Sequence, residues 1–391
     1  MTYDFDTIHD RRDTNAIKYD FQRYGKREGL LPLWVADMDF KAPPEVEEAL
    51  VRCARHGIFG YSDVGESYFE AVRGWFADGF GYQPERGWLV KAPGIVFALA
   101  LAVRAYTEKG DAVMIQRPVY HPFSSVVLNN DRMLINNALV YENGAYHIDF
   151  ADFEKKIAEN GVKLFILCSP HNPAGRVWAR EELEEMGDIC LKYNCLVLSD
   201  EIHADFVFAP HKHIVFSTLK PEFAENSVIA TAPSKTFNLP GLQASNIFIK
   251  NPDVRKKFVD EYNRSGYSQL NTMGLVACEC AYREGREWLR QLLDYLAENM
   301  KLVYAFGGRT GIRPVALEGT YLSWLDFSPL GLSHKELDDL IANKAGLWLS
   351  SGTTFGPEGA GFQRVNIACP KSVLERALSQ LEDAVSQKII I

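Results

Sequence analysis

The middle of the chain constrains the fold most. Short apolar runs at residues 112–115, 164–168, 196–199, 228–231 and 246–249 alternate with longer amphipathic stretches. The runs are rich in Val, Ile and Leu. Several lack strict apolar–polar alternation, which is the pattern of strands covered on both faces. Residues 94–106 and 180–194 carry helical patterns, the second charged at its start and closed by Asn194. This strand–helix–strand alternation predicts an α/β fold, with a large domain built on a mostly parallel sheet and helices on both faces.

The last third changes character. Helical patterns at 254–264, 273–301 and 335–344, with strand-like pieces at 321–326 and 364–368, predict a smaller α+β C-terminal domain. The expected division is an N-terminal segment (1–45) packing with the small domain, a large domain (46–285) and the small domain (286–391). At roughly 150 residues per domain, 391 residues accommodate it.

Charge and composition exclude several function classes. Against 51 Asp and Glu stand 42 Lys and Arg, a net charge of −9 that suits no phosphate backbone. The basic run Arg255-Lys256-Lys257 reads as a solvated helix face, and no nucleic-acid partner is expected. The longest apolar run, 94–103, is closed by Arg104 and falls short of the roughly 20 residues a bilayer span needs. The first six residues lack a basic stretch followed by an apolar one, so neither a secretory signal nor membrane attachment is expected. Cysteines at 53, 168, 190, 195, 278, 280 and 369 are odd in number, scattered and without a C-x-x-C, which fits a reducing cytoplasm. No closely spaced ligand pairs suggest a metal, and His211-x-His213 reads as part of a solvated polar loop.

Open parallel sheets bind ligands at the carboxyl ends of their strands. After 164–168 comes Ser169-Pro170-His171-Asn172-Pro173-Ala174-Gly175. After 196–199 come Asp200 and Glu201, and after 228–231 comes Ala232-Pro233-Ser234-Lys235-Thr236-Phe237-Asn238. Each alone is compatible with a turn, a cap or a surface group. Together an amide, a carboxylate and an amine follow three consecutive strands and are expected in one crevice. Pyridoxal phosphate fits that set. Its aldehyde needs a lysine amine for a Schiff base, here Lys235. Its pyridine nitrogen needs a carboxylate, Asp200, and its phenolate oxygen a donor, Asn172. The helix start at Gly94-Ile95-Val96 offers free N–H groups to the phosphate, and Ser234 adds a hydroxyl.

With these motifs the chain resembles fold-type I pyridoxal-phosphate enzymes, the aspartate-aminotransferase superfamily, over nearly its whole length. The carrying segments are 169–175, Ser199-Asp200-Glu201-Ile202-His203-Ala204-Asp205 and 232–238. Arg117-Pro118-Val119-Tyr120-His121-Pro122-Phe123 and Phe362-Gln363-Arg364-Val365-Asn366-Ile367-Ala368 support them. More narrowly it is similar to the cystathionine β-lyase/C–S lyase subgroup of the MalY/PatB and cystalysin type. Its marks are Leu33-Trp34-Val35-Ala36-Asp37-Met38-Asp39-Phe40 and Asp-Glu-Ile-His. His203 stands where many aminotransferases carry a phenolate-binding tyrosine, and Gln243 where the superfamily has a phosphate-binding arginine.

The resemblance implies roles. Lys235 would carry the cofactor and move the Cα proton, Asp200 would pair with the ring nitrogen, and Tyr120 would stack on the ring. Gly94, Ile95, Val96, Asn172, His203 and Ser234 would complete the cofactor site. Arg364 would hold the α-carboxylate of an amino-acid substrate, with Asn172 and Ala36 beside it. Tyr61, in Phe59-Gly60-Tyr61-Ser62, would reach the phosphate of a neighbouring subunit, which implies a homodimer with shared sites. The implied reaction is β-elimination from cystathionine, cysteine or related S-substituted cysteines to thiol, pyruvate and ammonia. An aminotransferase remains the alternative. The loop 350–357 precedes Arg364 and reads as ordinary turn glycines, with shaping of the substrate pocket as the other reading; Tyr321 is assigned no role.

Overall fold

The computed structural model describes residues 2–389. Its centre is a seven-stranded sheet of β1 (Leu89–Ala92), β2 (Ala112–Ile115), β3 (Met133–Asn136), β4 (Leu164–Cys168), β5 (Leu196–Asp200), β6 (Ser227–Thr231) and β7 (Ser245–Phe248). The spatial order is β1-β7-β6-β5-β4-β2-β3. Strands β3, β2, β4, β5 and β6 run parallel, whereas β7 is antiparallel to both neighbours. Every residue of β4, β5 and β6 is buried. That explains their unbroken apolar runs, since burying each large aliphatic or aromatic side chain contributes about 1.5–3 kcal/mol.

Register sets where the chemistry emerges. Cys168 pairs with Asp200, and Asp200 with Ala230, so β4, β5 and β6 end at one level. Because β7 is antiparallel, it begins at that same edge: Ser245 pairs with Ala92 at the end of β1, and Asn246 with Thr231.

The C-terminal part holds a four-stranded antiparallel sheet of β8 (Arg313–Pro314), β9 (Leu322–Asp326), β10 (Ser350–Ser351) and β11 (Phe362–Asn366). Arg364 of β11 lies between Trp324 and Ser350. The N-terminal segment is laid along this sheet. Leu31 and Pro32 pair in parallel with Leu347 and Trp348, the Asn366 amide donates to the Leu33 carbonyl, and the Asp39 amide donates to Ala368.

Three local expectations differ from the structure. Strands β1 and β3 were not anticipated; they are sheet edges, partly exposed, and β1 contains Lys91. The helical stretch 273–301 is two helices, Thr272–Glu284 and Arg286–Thr310. Gly285 separates them, and a Cβ there would lie 2.3 Å from the Phe237 ring. Lastly, 335–344 is a short helix, His334–Asp339, continued by a π-turn at Leu340–Lys344. Among the described residues no helix is long and apolar enough to cross a membrane.

Candidate active site

A cavity of about 260 Å³ opens at the carboxyl edge of the central sheet. It is lined by Ala36, Gly94, Ile95, Val96, Tyr120, Asn172, Asp200, His203, Ser234 and Lys235, all singled out from the sequence. A vestibule of about 510 Å³ adjoins it, shares Ala36, Tyr120 and Lys235, and adds Arg364. Eleven of the twelve expected site residues therefore converge. Tyr61 does not; it is 98% exposed and lies outside both cavities.

Lys235 sits on a single helical turn, Pro233–Thr236, directly after β6. Thr236 donates to Asp205 Oδ2 at 2.6 Å, and Trp75 Nε1 donates to Asp205 Oδ1 at 3.0 Å, so the turn is pinned from behind. The Lys235 amine donates to the Ala36 carbonyl at 2.7 Å. Burial pushes its proton affinity down to a pKa of about 8; the Arg364 charge works the same way, while Asp37 and Asp200 oppose it. The amine is thus a nucleophile and base poised near neutral pH.

Asp200 ends β5 and is buried. Among the described residues its Oδ1 accepts only the Ile202 amide, at 3.1 Å. Burial pushes its carboxyl up to about 7; the neighbouring Glu201 adds to the rise, and the Ile202 bond and Lys235 lower it. A buried carboxylate held this way calls for a cationic N–H partner. His203 is buried, and its Nδ1 meets no hydrogen-bond partner among the described residues. Burial, reinforced by Lys235 and Arg364, drives its pKa far below the usual range, so the ring is neutral.

The helix Ile95–Tyr106 follows β1 through Gly94, whose φ is +153°, a conformation that L side chains avoid. No side chain caps this helix. Its first N–H groups, unpaired as in any helix, border the cavity beside Ser234. The further lining residues include two with polar side chains that were not expected from the sequence to bind anything. They are Gln243, which follows the turn Pro240–Leu242, and Ser245, the first residue of β7. Ser245 Oγ is buried with no hydrogen-bond partner among the described residues. Together these groups form a cradle of neutral donors for an anion.

Arg364 is buried on β11. Nη1 donates to Asn172 Oδ1 at 3.0 Å, and Nη2 to the Trp34 carbonyl at 2.8 Å and Ser350 Oγ at 3.3 Å. All three acceptors are neutral, and among the described residues Nε meets none. Burial lowers its pKa to about 10, with the Tyr120 and Tyr321 hydroxyls acting in the opposite direction. A guanidinium buried without an anion is placed to receive one. Since Arg364 occupies Asn172 Oδ1, the amide's NH₂ end keeps its donors free for a second acceptor. Tyr120 is tied to the same place, its backbone amide donating to the Asn172 carbonyl.

Tyr321 and Asn238 support the site in ways the sequence reading did not assign, and the loop at 350–357 borders the pocket rather than serving only as a turn. Tyr321 donates to the Ala36 carbonyl at 2.9 Å, sharing that acceptor with Lys235. Asn238 holds Met38 and Phe40 through three hydrogen bonds, fixing residues 36–40 against the lysine turn. Ser350, Ser351, Thr354 and Phe355 of the loop at 350–357 line the vestibule with His121. Close approach within that loop needs glycine, since a Cβ on Gly352 would lie 1.9 Å from the Gly359 carbonyl oxygen. His213 corrects an expectation. It is buried, not solvated, and bonds Glu201 at 2.9 Å beneath Asp200.

Comparison with known proteins follows the same lines. Residues 29–381 match the sequence profile of the family described as aminotransferase class I and II. The chain is 42% identical to cystathionine beta-lyase PatB of Bacillus subtilis (strain 168), over 98% of this chain and 100% of that protein. It is 32% identical to protein MalY of Escherichia coli (strain K12), covering 98% and 99%. The crystal structure of cystalysin from Treponema denticola, which contains a pyridoxal 5′-phosphate cofactor, superimposes with a TM-score of 0.96 at 37% identity, covering 99% and 100%.

Proposed function

The chain belongs to the class I and II aminotransferase family, and from that premise we propose that it is a pyridoxal-phosphate-dependent carbon–sulfur β-lyase of the cystathionine β-lyase type. The residues present fit the cofactor. Lys235 offers the amine for its aldehyde, Asp200 a buried carboxylate for its ring nitrogen, and Asn172 a free amide donor for its phenolate. The orphaned Ser245 hydroxyl, Ser234 and the N–H groups at residues 95 and 96 suit its phosphate. Tyr120 and His203 would flank the ring. When bound, the cofactor supplies an electron sink for the pair left by the departing Cα proton.

The protein's own groups do the rest. Arg364 docks the substrate α-carboxylate with its planar fork, and Asn172 Oδ1 and the Trp34 carbonyl hold that fork in place. The Lys235 nitrogen takes the Cα proton, and its lowered proton affinity lets it release the proton again. Asp200, in its ionised form, would hold the positive charge of the cofactor's ring nitrogen and so keep the sink effective. The sulfur at Cβ leaves as thiolate and is protonated. With one water consumed, an S-substituted cysteine gives thiol, pyruvate and ammonia.

The observation that carries this reading is a buried arginine that meets no anionic partner among the described residues, beside a half-buried lysine and a buried carboxylate. The purified holoenzyme is given L-cystathionine, and separately L-alanine with 2-oxoglutarate. Thiol, pyruvate and ammonia in equal amounts from cystathionine, all lost in Lys235→Ala, are expected. Glutamate without thiol release would make the protein an aminotransferase.

Tyr61 is read as serving a partner subunit's phosphate site in a homodimer. Ile58, Phe59 and Tyr61 expose 73%, 61% and 98% of their surface in one stretch, an apolar face suited to a second copy. Mixing Tyr61→Ala with Lys235→Ala chains should then restore about a quarter of wild-type activity, because half the dimers hold one intact site. The division into residues 1–45, 46–285 and 286–391 belongs to the same reading, as does a cytoplasmic location, which the seven free thiols favour.

A further inference from the structure

The N-terminal segment holds a charged cluster that the chemistry above does not use. Lys18 is fully buried, with Nζ 2.7 Å from Asp39 Oδ2 and 3.8 Å from Asp37 Oδ1. Arg11 bridges both acids, at 2.5 Å to Asp37 Oδ2 and 3.0 Å to Asp39 Oδ1. Two cations thus face two anions, but the acids are treated unequally. Both oxygens of Asp39 are hydrogen-bonded. Asp37 Oδ1 is buried and accepts no hydrogen bond from the described residues.

That incompletely neutralised carboxylate lies one residue along the chain from the carbonyl that holds the reactive lysine. It follows Ala36, whose carbonyl accepts both Lys235 Nζ and Tyr321 Oη. Asn366 Nδ2 donates to the Val35 carbonyl at 2.7 Å and the Asp37 carbonyl at 2.6 Å, so this backbone is clamped on both sides of Ala36. Among charged groups Asp37 acts most strongly on the Lys235 amine, ahead of Arg364 and Asp200. Asp37 itself is faced by Arg11, Lys18, Asp39, Tyr19 and Tyr321.

We propose that Asp37 is a positioning residue that sets how tightly the Lys235 nitrogen holds its proton, and that Arg11 sets how much of the Asp37 charge the lysine feels. The inference rests on the β-elimination reading, in which Lys235 takes and returns a proton. Burial and Arg364 drive that proton off; Asp37 and Asp200 hold it on. Residues 11 and 37, from the segment laid along the small sheet, thereby tune the base carried by the large one.

The test compares Asp37→Asn, Arg11→Gln and the double variant as holoenzymes. One readout is the pH at which the visible absorption band changes on titration without substrate. The second is the acidic limb of the kcat/KM profile for thiol release. Loss of the Asp37 charge should move both to lower pH, by about one unit. Loss of Arg11 should move both to higher pH, because the Asp37 charge is then less neutralised. The double variant should fall between the two. A tether holding the N-terminal segment would lower the melting temperature or cofactor content and leave these pH values in place. Unchanged values in both single variants, or displacement in the same direction, overturn the proposal. If Asp37→Asn fails to fold, Arg11→Gln decides alone: an upward move supports, and no move or a downward one refutes. Failure of wild-type enzyme to release thiol would sink the lyase reading and leave the substrate-free titration to judge Asp37.

Discussion

Replacing Arg364 by lysine keeps the charge and removes the fork. The guanidinium has five N–H donors, and three are spent on Asn172 Oδ1, the Trp34 carbonyl and Ser350 Oγ, which surround it in the buried site. A carboxylate arriving from the vestibule meets the remaining donors. An ammonium group has three donors at a single point and cannot serve these acceptors and a carboxylate together. At least one charge-assisted hydrogen bond to substrate is lost, about 1.5–3 kcal/mol, which corresponds to about a ten- to hundredfold fall in kcat/KM. Thiol release from an S-substituted cysteine measures the fall. The cause is isolated by comparing the affinities of L-alanine and ethylamine, which differ by the carboxylate, through the spectral change on binding. Wild type should favour L-alanine, and Arg364→Lys should lose most of that preference without weakening ethylamine. A kcat/KM within about twofold of wild type, or an equal loss for both ligands, would refute the assignment of Arg364 to the carboxylate.

The cofactor-free protein should show the cost of its site. The folded chain keeps the Asp200 proton up to about pH 7, whereas the unfolded chain loses it near pH 4, so this group lowers stability progressively as pH rises between the two. Asp200→Asn should therefore stabilise the cofactor-free chain more at pH 8 than at pH 5 in urea denaturation, while weakening cofactor binding; an equal effect at both pH values would contradict it. Ser245→Ala removes an unpaired buried hydroxyl and should raise cofactor-free stability by up to about 1 kcal/mol, yet weaken cofactor affinity in a fluorescence titration. Loss of stability instead would place a hidden partner on Ser245. Gly94→Ala meets no atom within 4 Å, so its effect is conformational, about 1–3 kcal/mol for a side chain at φ +153°. It should loosen cofactor binding more than it lowers the melting temperature.

What the sequence determined by itself was the local part of the design. Strands β2 and β4 span the residues their apolar runs mark out, and β5 and β6 lie within a residue of theirs, because full burial demands unbroken hydrophobic runs. The parallel sheet they imply puts Asn172, Asp200 and Lys235 at one edge, so these three were legible as a set. The edge strands β1 and β3 were not, because half-covered strands tolerate lysine and asparagine and lose the signal.

The tertiary structure alone decided which distant backbone atoms and side chains complete the site. Ser245 borders the cavity only because β7 runs against its neighbours and begins where they end. The Arg364 clamp joins Trp34, Asn172 and Ser350, and the Lys235 amine rests on a carbonyl 199 residues away. The motif at residues 33–40 was readable as a family mark, but its physical role was not. It supplies the Ala36 and Trp34 carbonyls to the two cations of the site and sets Asp37 beside one of them. Hydrophobic periodicity records only which face of a local element is buried. It carries no information on contacts between elements hundreds of residues apart, and in this protein those contacts set the charge and proton affinity of the reacting groups.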